Sequence, residues 1–140
     1  TQDLVMAGLG VCDPTDIAVS VLCSVIGHQR SRGCLVVDAG WMAMSRDRGT
    51  ASQTLDQEFG IVCSSDGAII DNLVLRSTNQ EHGLVGCRDG RPVQLGRFPI
   101  GTRLRILPNH ACATGAQHRG YHVISPQGEV KGYWERFSGW

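Results

Sequence analysis

Apolar and polar positions alternate along much of the chain. Between Ile17 and Ile26, the apolar Ile17, Val19, Val21, Cys23 and Val25 are interleaved with Ala18, Ser20 and Ser24. Period-two alternation in a segment rich in valine and isoleucine predicts a strand with one buried face. The Asp13-Pro14-Thr15-Asp16 segment before it predicts a turn. Residues 1–12 mix apolar residues with glycine and show no clean first strand. Gln29 to Gly33 reads as a polar turn, and Cys34-Leu35-Val36-Val37 as a short apolar strand ending at Asp38-Ala39-Gly40. Residues 41–58 are polar and punctuated by glycine, which predicts a long loop with a helical turn. Strands are expected at 59–63 and 68–76, joined by Ser64-Ser65-Asp66-Gly67, because Asp-Gly between apolar runs is a hairpin signal. Further strands are expected at 80–86, 102–109, 119–124 and 129–135, the last two joined by Ser125-Pro126-Gln127-Gly128. Many short strands with little helix predict a mainly β domain, a small barrel or sandwich.

Composition narrows the function classes. The chain has 140 residues, enough for one domain with its own core. Lysine plus arginine and aspartate plus glutamate number 13 each, so the formal net charge is zero. A nucleic-acid surface normally shows as a basic excess, so none is expected, and an anionic membrane surface is not expected either. No run approaches the roughly 18 apolar residues of a membrane span, and no signal-peptide pattern is present. The six cysteines, Cys12, Cys23, Cys34, Cys63, Cys87 and Cys112, are spread without a C-x-x-C or a dense framework. They read as cytoplasmic thiols rather than disulfides. Lys131 is the only lysine.

Four groupings could carry chemistry. In Pro108-Asn109-His110-Ala111-Cys112, a strand continuing through the motif would project His110 and Cys112 from one face. Imidazole with thiolate suits zinc better than magnesium or calcium, and two protein ligands leave positions open, as in a catalytic site. The plainer reading is a surface histidine beside a buried cysteine. A second grouping, Cys112, His118 and His122, could close a structural zinc site on a helix, which Gly115 and Gly120 disfavour. The third, Glu81-His82-Gly83, sets a carboxylate beside an imidazole, as in acid–base or supporting roles. The fourth, Asp38-Ala39-Gly40 followed by Ser45-Arg46-Asp47-Arg48-Gly49, ends a strand in a polar loop that could present a site. His28 stands alone in a polar turn and reads as solvated. Glycine-rich phosphate loops and metalloprotease or hydrolase signatures do not occur.

In this order, Val36-Val37-Asp38-Ala39-Gly40, Ser45 with Asp47 and Gly49, Glu81-His82-Gly83, Pro108-Asn109-His110-Ala111-Cys112, a final hairpin with Trp134, and Gly139-Trp140 resemble the C-terminal domain of the D-serine dehydratase and D-threonine aldolase family. The resemblance implies a small β-domain like that of alanine racemase-type enzymes. It implies a larger enzyme whose N-terminal barrel, of about 250 residues, holds pyridoxal phosphate on a lysine and is absent here. Lys131 matches nothing catalytic, so no cofactor-binding residue is expected in this chain, and the chain alone is expected to be inactive. His110 and Cys112 match metal ligands of the dehydratase branch, whereas the aldolase branch usually has aspartate at the second position. The implied partners are a small D-amino acid, the chain's own N-terminal barrel and a second subunit in a homodimer. The expected function is metal-assisted loss of water and ammonia from D-serine or a similar substrate, with Glu81 and His82 supporting the site. The alternatives are aldolase-like C–C cleavage and a non-catalytic β-barrel binding module.

Overall fold

The computed structural model describes residues 2–137. The terminal Gly139-Trp140 pair of the resemblance lies outside them. Strands β1 (Val21–Gln29), β2 (Cys34–Val37), β3 (Gly60–Ser64), β4 (Ile69–Thr78), β5 (Gly83–Cys87) and β6 (Arg103–Pro108) close a barrel in the order β1-β2-β5-β4-β3-β6. All the pairings are antiparallel. Strands β7 (Gly120–Ile124) and β8 (Val130–Glu135) form a separate two-stranded ribbon. The described residues also form three short α-helices, α1 (Leu4–Gly8), α2 (Trp41–Met44) and α3 (Ala111–Gly115), besides short 3₁₀ turns. No described helix is long and apolar enough to cross a membrane.

The alternation read from the sequence is the inside–outside alternation of the barrel. On β1, Val21, Cys23 and Val25 point into the core, while Leu22 and Ile26 are exposed. They meet Leu35 and Val37 from β2, Leu75 from β4, Val85 from β5 and Ile106 from β6. Strand β3 differs: Ile61, Val62 and Cys63 are all buried. Val62 faces the barrel core. Ile61 and Cys63 form a second cluster with Leu107, roofed by Leu4 of α1 and by Ile17. A strand covered on both faces has no polar face to show, which explains its continuous apolar run.

The structure moves several boundaries. The expected strand at Ile17 starts at Val21, because Asp13 and Asp16 cap each other's backbone around a 3₁₀ turn at Pro14–Asp16. Residues 1–12 contribute α1 rather than a strand, and the barrel closes without one. The helical turn expected within 41–58 is α2. Ser64-Ser65-Asp66-Gly67 is a tight hairpin turn, closed by the Gly67 N–H donating to the Ser64 carbonyl at 3.0 Å. His28 lies on β1, and its Nε2 contacts the Phe98 carbonyl at 2.7 Å, so it is tied into the fold rather than solvated.

One end of the barrel gathers most of the unusual sequence. The registers Val25↔Val37, Val37↔Gly83, Thr78↔Gly83 and Gly60↔Pro108 put the end of β2, the β4–β5 turn, the start of β3 and the end of β6 together. The chain leaves this end at Asp38 into α2 and at Asn109 into α3.

Candidate functional site

Strand β6 ends at Pro108, and α3 begins at Ala111. His110 is the extended residue that precedes the helix, at φ −133° and ψ 107°, and Cys112 lies within its first turn. The strand periodicity expected to bring the two side chains to one face therefore does not extend through the motif. A strand-to-helix corner holds them one residue apart instead. Asp3 fixes that corner: its Oδ2 accepts the Ala111 N–H at 2.8 Å, while its Oδ1 accepts the Met6 N–H at 3.1 Å. One buried carboxylate thus caps α1 and α3 together.

Asn109 anchors the corner from the other side. It is 2% exposed. Its Nδ2 donates to the Thr50 Oγ1 at 2.7 Å and the Glu58 carbonyl at 2.6 Å, and its Oδ1 accepts the Thr50 N–H at 3.3 Å. Thr50 is fully buried, and its hydroxyl also donates to Asp56 at 3.1 Å and accepts the Gln57 N–H at 2.9 Å. Hydrogen bonding pulls the Asp56 carboxyl below the usual carboxylate range against the opposing effect of partial burial, with the Arg48 guanidinium adding to the pull. Arg48 bridges Asp56 and Glu58. The long loop after α2 is therefore bonded to the residue before His110, although the two are far apart in sequence.

The same loop delivers Asp47. Its Oδ2 lies 2.6 Å from the Nδ1 of His110, with the side chains 52% and 41% exposed respectively. Helices α2 and α3 are joined directly: the Thr114 hydroxyl donates to the Met44 carbonyl at 2.6 Å, and the His118 Nε2 contacts the Ala43 carbonyl at 2.9 Å. His118 is thus committed to α2, while His122 packs on the Tyr133 ring at 5.1 Å between centroids. Among the described residues no group of three or more histidine, cysteine, aspartate or glutamate side chains could hold a metal ion. The closed zinc site of Cys112, His118 and His122 is therefore not formed.

Glu81 and His82 sit on the β4–β5 turn at this end of the barrel. The Asn79 amide contacts the His82 Nε2 at 3.1 Å, and the Asn79 N–H donates to the His82 carbonyl at 2.8 Å. The carbonyls of Asn79 and Gln80 accept the first N–H groups of α2, from Trp41 and Met42. No hydrogen bond or ion pair among the described residues links Glu81 or His82 to His110 or Cys112. Close backbone approach at this corner explains two glycines of the sequence motifs. A Cβ on Gly40 would lie 2.3 Å from the Gln80 carbonyl oxygen, and one on Gly83 2.6 Å from that of Ala39. Asp-Ala-Gly and Glu-His-Gly are two sides of one packed corner.

All six cysteines are free thiols. Burial pushes Cys23 up to about 12 and Cys63 up to about 11, which makes them inert core residues. Cys112 is exposed and stands beside His110. Lys131 is on the exposed ribbon, ion-paired to Glu129 at 2.5 Å. An exposed amine paired to a carboxylate is not the desolvated lysine that a Schiff base needs, and the sequence has no other lysine. The donor set does fit a soft divalent metal: one imidazole with a ring nitrogen left over, and one accessible thiol.

Fold and site together define a closed β-barrel domain whose chemical groups are concentrated at one end. The chain belongs to the putative serine dehydratase domain family, whose profile matches residues 18–124. It is 54% identical over 99% of its length to the D-threo-3-hydroxyaspartate dehydratase of Delftia sp., spanning 37% of that protein. It is 33% identical over 87% of its length to the D-serine dehydratase of Dictyostelium discoideum, spanning 30% of it. The solved Delftia enzyme superimposes with a TM-score of 0.94 at 54% identity, covering 99% of this chain and 37% of that one. An alanine racemase-like protein from Idiomarina loihiensis gives 0.91 at 50% identity, over 100% of this chain and 37% of that one. The mainly β, alanine racemase-like reading of the sequence is the observed fold, and the chain is a dehydratase-family domain.

Proposed function

We propose that this chain is the metal-binding β-domain of a pyridoxal phosphate-dependent lyase that removes water and ammonia from D-serine or a similar 3-hydroxy D-amino acid. The observation that carries the proposal is the exposed Cys112 beside His110 at the barrel end where α1, α2, α3 and the β4–β5 turn converge. Solved D-threo-3-hydroxyaspartate dehydratase structures similar to this chain include a histidine-to-alanine mutant and a cysteine-to-alanine mutant described as a metal-free form. The mutated positions are separated by one residue, as His110 and Cys112 are. That parallel supports a metal on this pair, and zinc is the ion the donors favour.

His110 and Cys112 would hold the ion, two protein donors leaving room for substrate or water. A divalent ion there supplies Lewis acidity toward the β-hydroxyl of a substrate. The chain's own part is orientation. Asp3 and Asn109 fix the backbone corner that carries both donors. Glu81 and His82 are proposed to support the same face from the β4–β5 turn. In the complete enzyme, pyridoxal phosphate is held on a lysine outside this chain, and no step is assigned to Lys131. The complete enzyme is proposed to pair as a homodimer in the cytoplasm, and exposed apolar side chains such as Leu22, Ile100 and Trp134 support further contacts.

The test is elemental analysis of the full-length protein and its His110→Ala and Cys112→Ala variants, together with product analysis on D-serine and D-threo-3-hydroxyaspartate. Metal present in the parent and lost from both variants, with a keto acid and ammonia formed, is expected. Metal content unchanged in the variants overturns the site. Glycine and an aldehyde as products would favour aldolase chemistry.

A further inference from the structure

We propose that Asp47 is the positioning residue of the metal site, fixing His110 as the tautomer that leaves Nε2 free as the metal donor. The inference rests on the reading of His110 as a ligand and adds a residue that the sequence motif alone left without a role. A carboxylate only accepts hydrogen bonds, so at 2.6 Å from the Asp47 Oδ2 the His110 Nδ1 carries the proton. The lone pair of the neutral ring is then on Nε2. An imidazole in water favours no single orientation and populates both tautomers. Fixing one ring nitrogen removes that freedom before metal arrives and raises the basicity of the other.

Independent features show that the loop is built to hold Asp47 where it stands. Ser45, which ends α2, has φ 73° and ψ 177°, a conformation that residues other than glycine rarely adopt. It is nevertheless 8% exposed, and its hydroxyl accepts the Asp47 N–H at 3.2 Å. Three residues beyond Asp47, Thr50 is clamped to Asn109, the residue before His110. Between them, a Cβ on Gly49 would lie 2.6 Å from the Val5 Cγ2 and 3.6 Å from the Asn109 Oδ1, so this stretch runs close against the same corner. Backbone strain at Ser45 and the Thr50–Asn109 clamp bracket Asp47. Among the described residues the Asp47 carboxylate makes no side-chain hydrogen bond other than the one to His110.

The test uses the full-length protein stripped of metal, as parent, Asp47→Ala, Asp47→Asn and His110→Ala. Zinc affinity is read by competition with a chromophoric chelator. Long-range ¹H–¹⁵N correlation on histidine-labelled, metal-free protein at mildly alkaline pH reads the His110 tautomer, which a purely structural role would not move. The parent should show the Nδ1–H form. Asp47→Ala should shift His110 toward the Nε2–H form and weaken zinc binding about 10- to 100-fold, the usual loss for such a partner. Asp47→Asn, whose amide oxygen still accepts the Nδ1 proton, should keep the tautomer and lose less affinity. An Asp47→Ala variant that binds zinc as the parent does, or keeps the Nδ1–H form, overturns the proposal and leaves the ligand assignment standing. A parent that binds no zinc, or a His110→Ala variant that binds it equally well, overturns the ligand assignment and this proposal with it.

Discussion

Replacing Asn109 with alanine should unfasten the barrel end that carries the candidate site. The side chain makes two short bonds from Nδ2, at 2.7 and 2.6 Å, and one longer bond to Oδ1 at 3.3 Å. Each short bond contributes a net ~1 kcal/mol. Truncation also leaves the Thr50 N–H and the Glu58 carbonyl without their partner; with water reaching one of the two, the group that stays dry costs a further amount of about 1–3 kcal/mol. The Thr50 hydroxyl keeps Asp56 and Gln57, so it adds little. The sum is about 3–5 kcal/mol, near the upper end for single substitutions. Domains of this kind are stable by roughly 5–15 kcal/mol in all. At about 4 °C per kcal/mol for a domain of this size, Tm should fall by about 12–20 °C. Urea unfolding followed by tryptophan fluorescence gives the free energy directly. Asn109→Asp separates hydrogen bonding from lost volume: the shape is kept, but an acceptor replaces the donor that faces the Glu58 carbonyl. It should be at least as destabilising as alanine. A loss below about 1 kcal/mol for Asn109→Ala, or an aspartate variant as stable as the parent, would refute the idea that this hydrogen-bond hub holds the corner together.

Two further outcomes follow from the cysteines. Cys23 and Cys63, held at about 12 and about 11 against an ordinary 9.0, ionise in the unfolded chain at lower pH than in the folded one. Their contribution to stability is therefore intact below about pH 9 and declines as pH rises toward 11–12. Urea midpoints measured across that window should fall for the parent and fall less steeply for a Cys23→Ala, Cys63→Ala double variant; parallel slopes would contradict the burial argument. Cys112 is exposed, whereas Cys23 is 3% and Cys63 0% exposed. A thiol reagent should consume Cys112 in its fastest phase and reach Cys23 and Cys63 only after unfolding. Persistence of that fast phase in Cys112→Ala would contradict the exposure pattern.

The six barrel strands were legible because each has at least one face against the barrel core, where apolar residues recur, whereas the exposed β7–β8 ribbon was legible from the turn chemistry of Ser125-Pro126-Gln127-Gly128. The β3 run was legible for another reason: cover on both faces leaves Ile61, Val62 and Cys63 all apolar. The helices were harder. Each is no more than five residues long and has its first turn bonded to a residue distant in sequence, Val5 to Asn109, Trp41 to Asn79 and Ala111 to Asp3. Asp3 caps α3 across more than a hundred residues, a contact that no local pattern announces. The strand expected from Ile17 is present but begins at Val21, because Asp13 and Asp16 cap each other before it, a box visible in Asp-Pro-Thr-Asp but outweighed by the valines that follow.

The candidate site shows the same division between what is local and what is not. His110 and Cys112 were conspicuous as residue types at a short spacing, but the strand periodicity by which the sequence paired them does not extend through the motif. A strand would have displayed both side chains through regular alternation, with nothing else required. A strand-to-helix corner has no such regularity, so its conformation depends on what is bonded to it. Asp3 holds the Ala111 amide, Asn109 is locked to Thr50 and Glu58, and Thr114 ties α3 to α2. Those contacts come from segments that include polar loops, which sequence reading assigns to connection rather than support. Asp47 belongs to one of these loops, and its closeness to His110 arises only when the loop closes on Asn109. Residues that bind a ligand can be recognised by type, whereas residues that aim them are recognised by the partner that folding supplies.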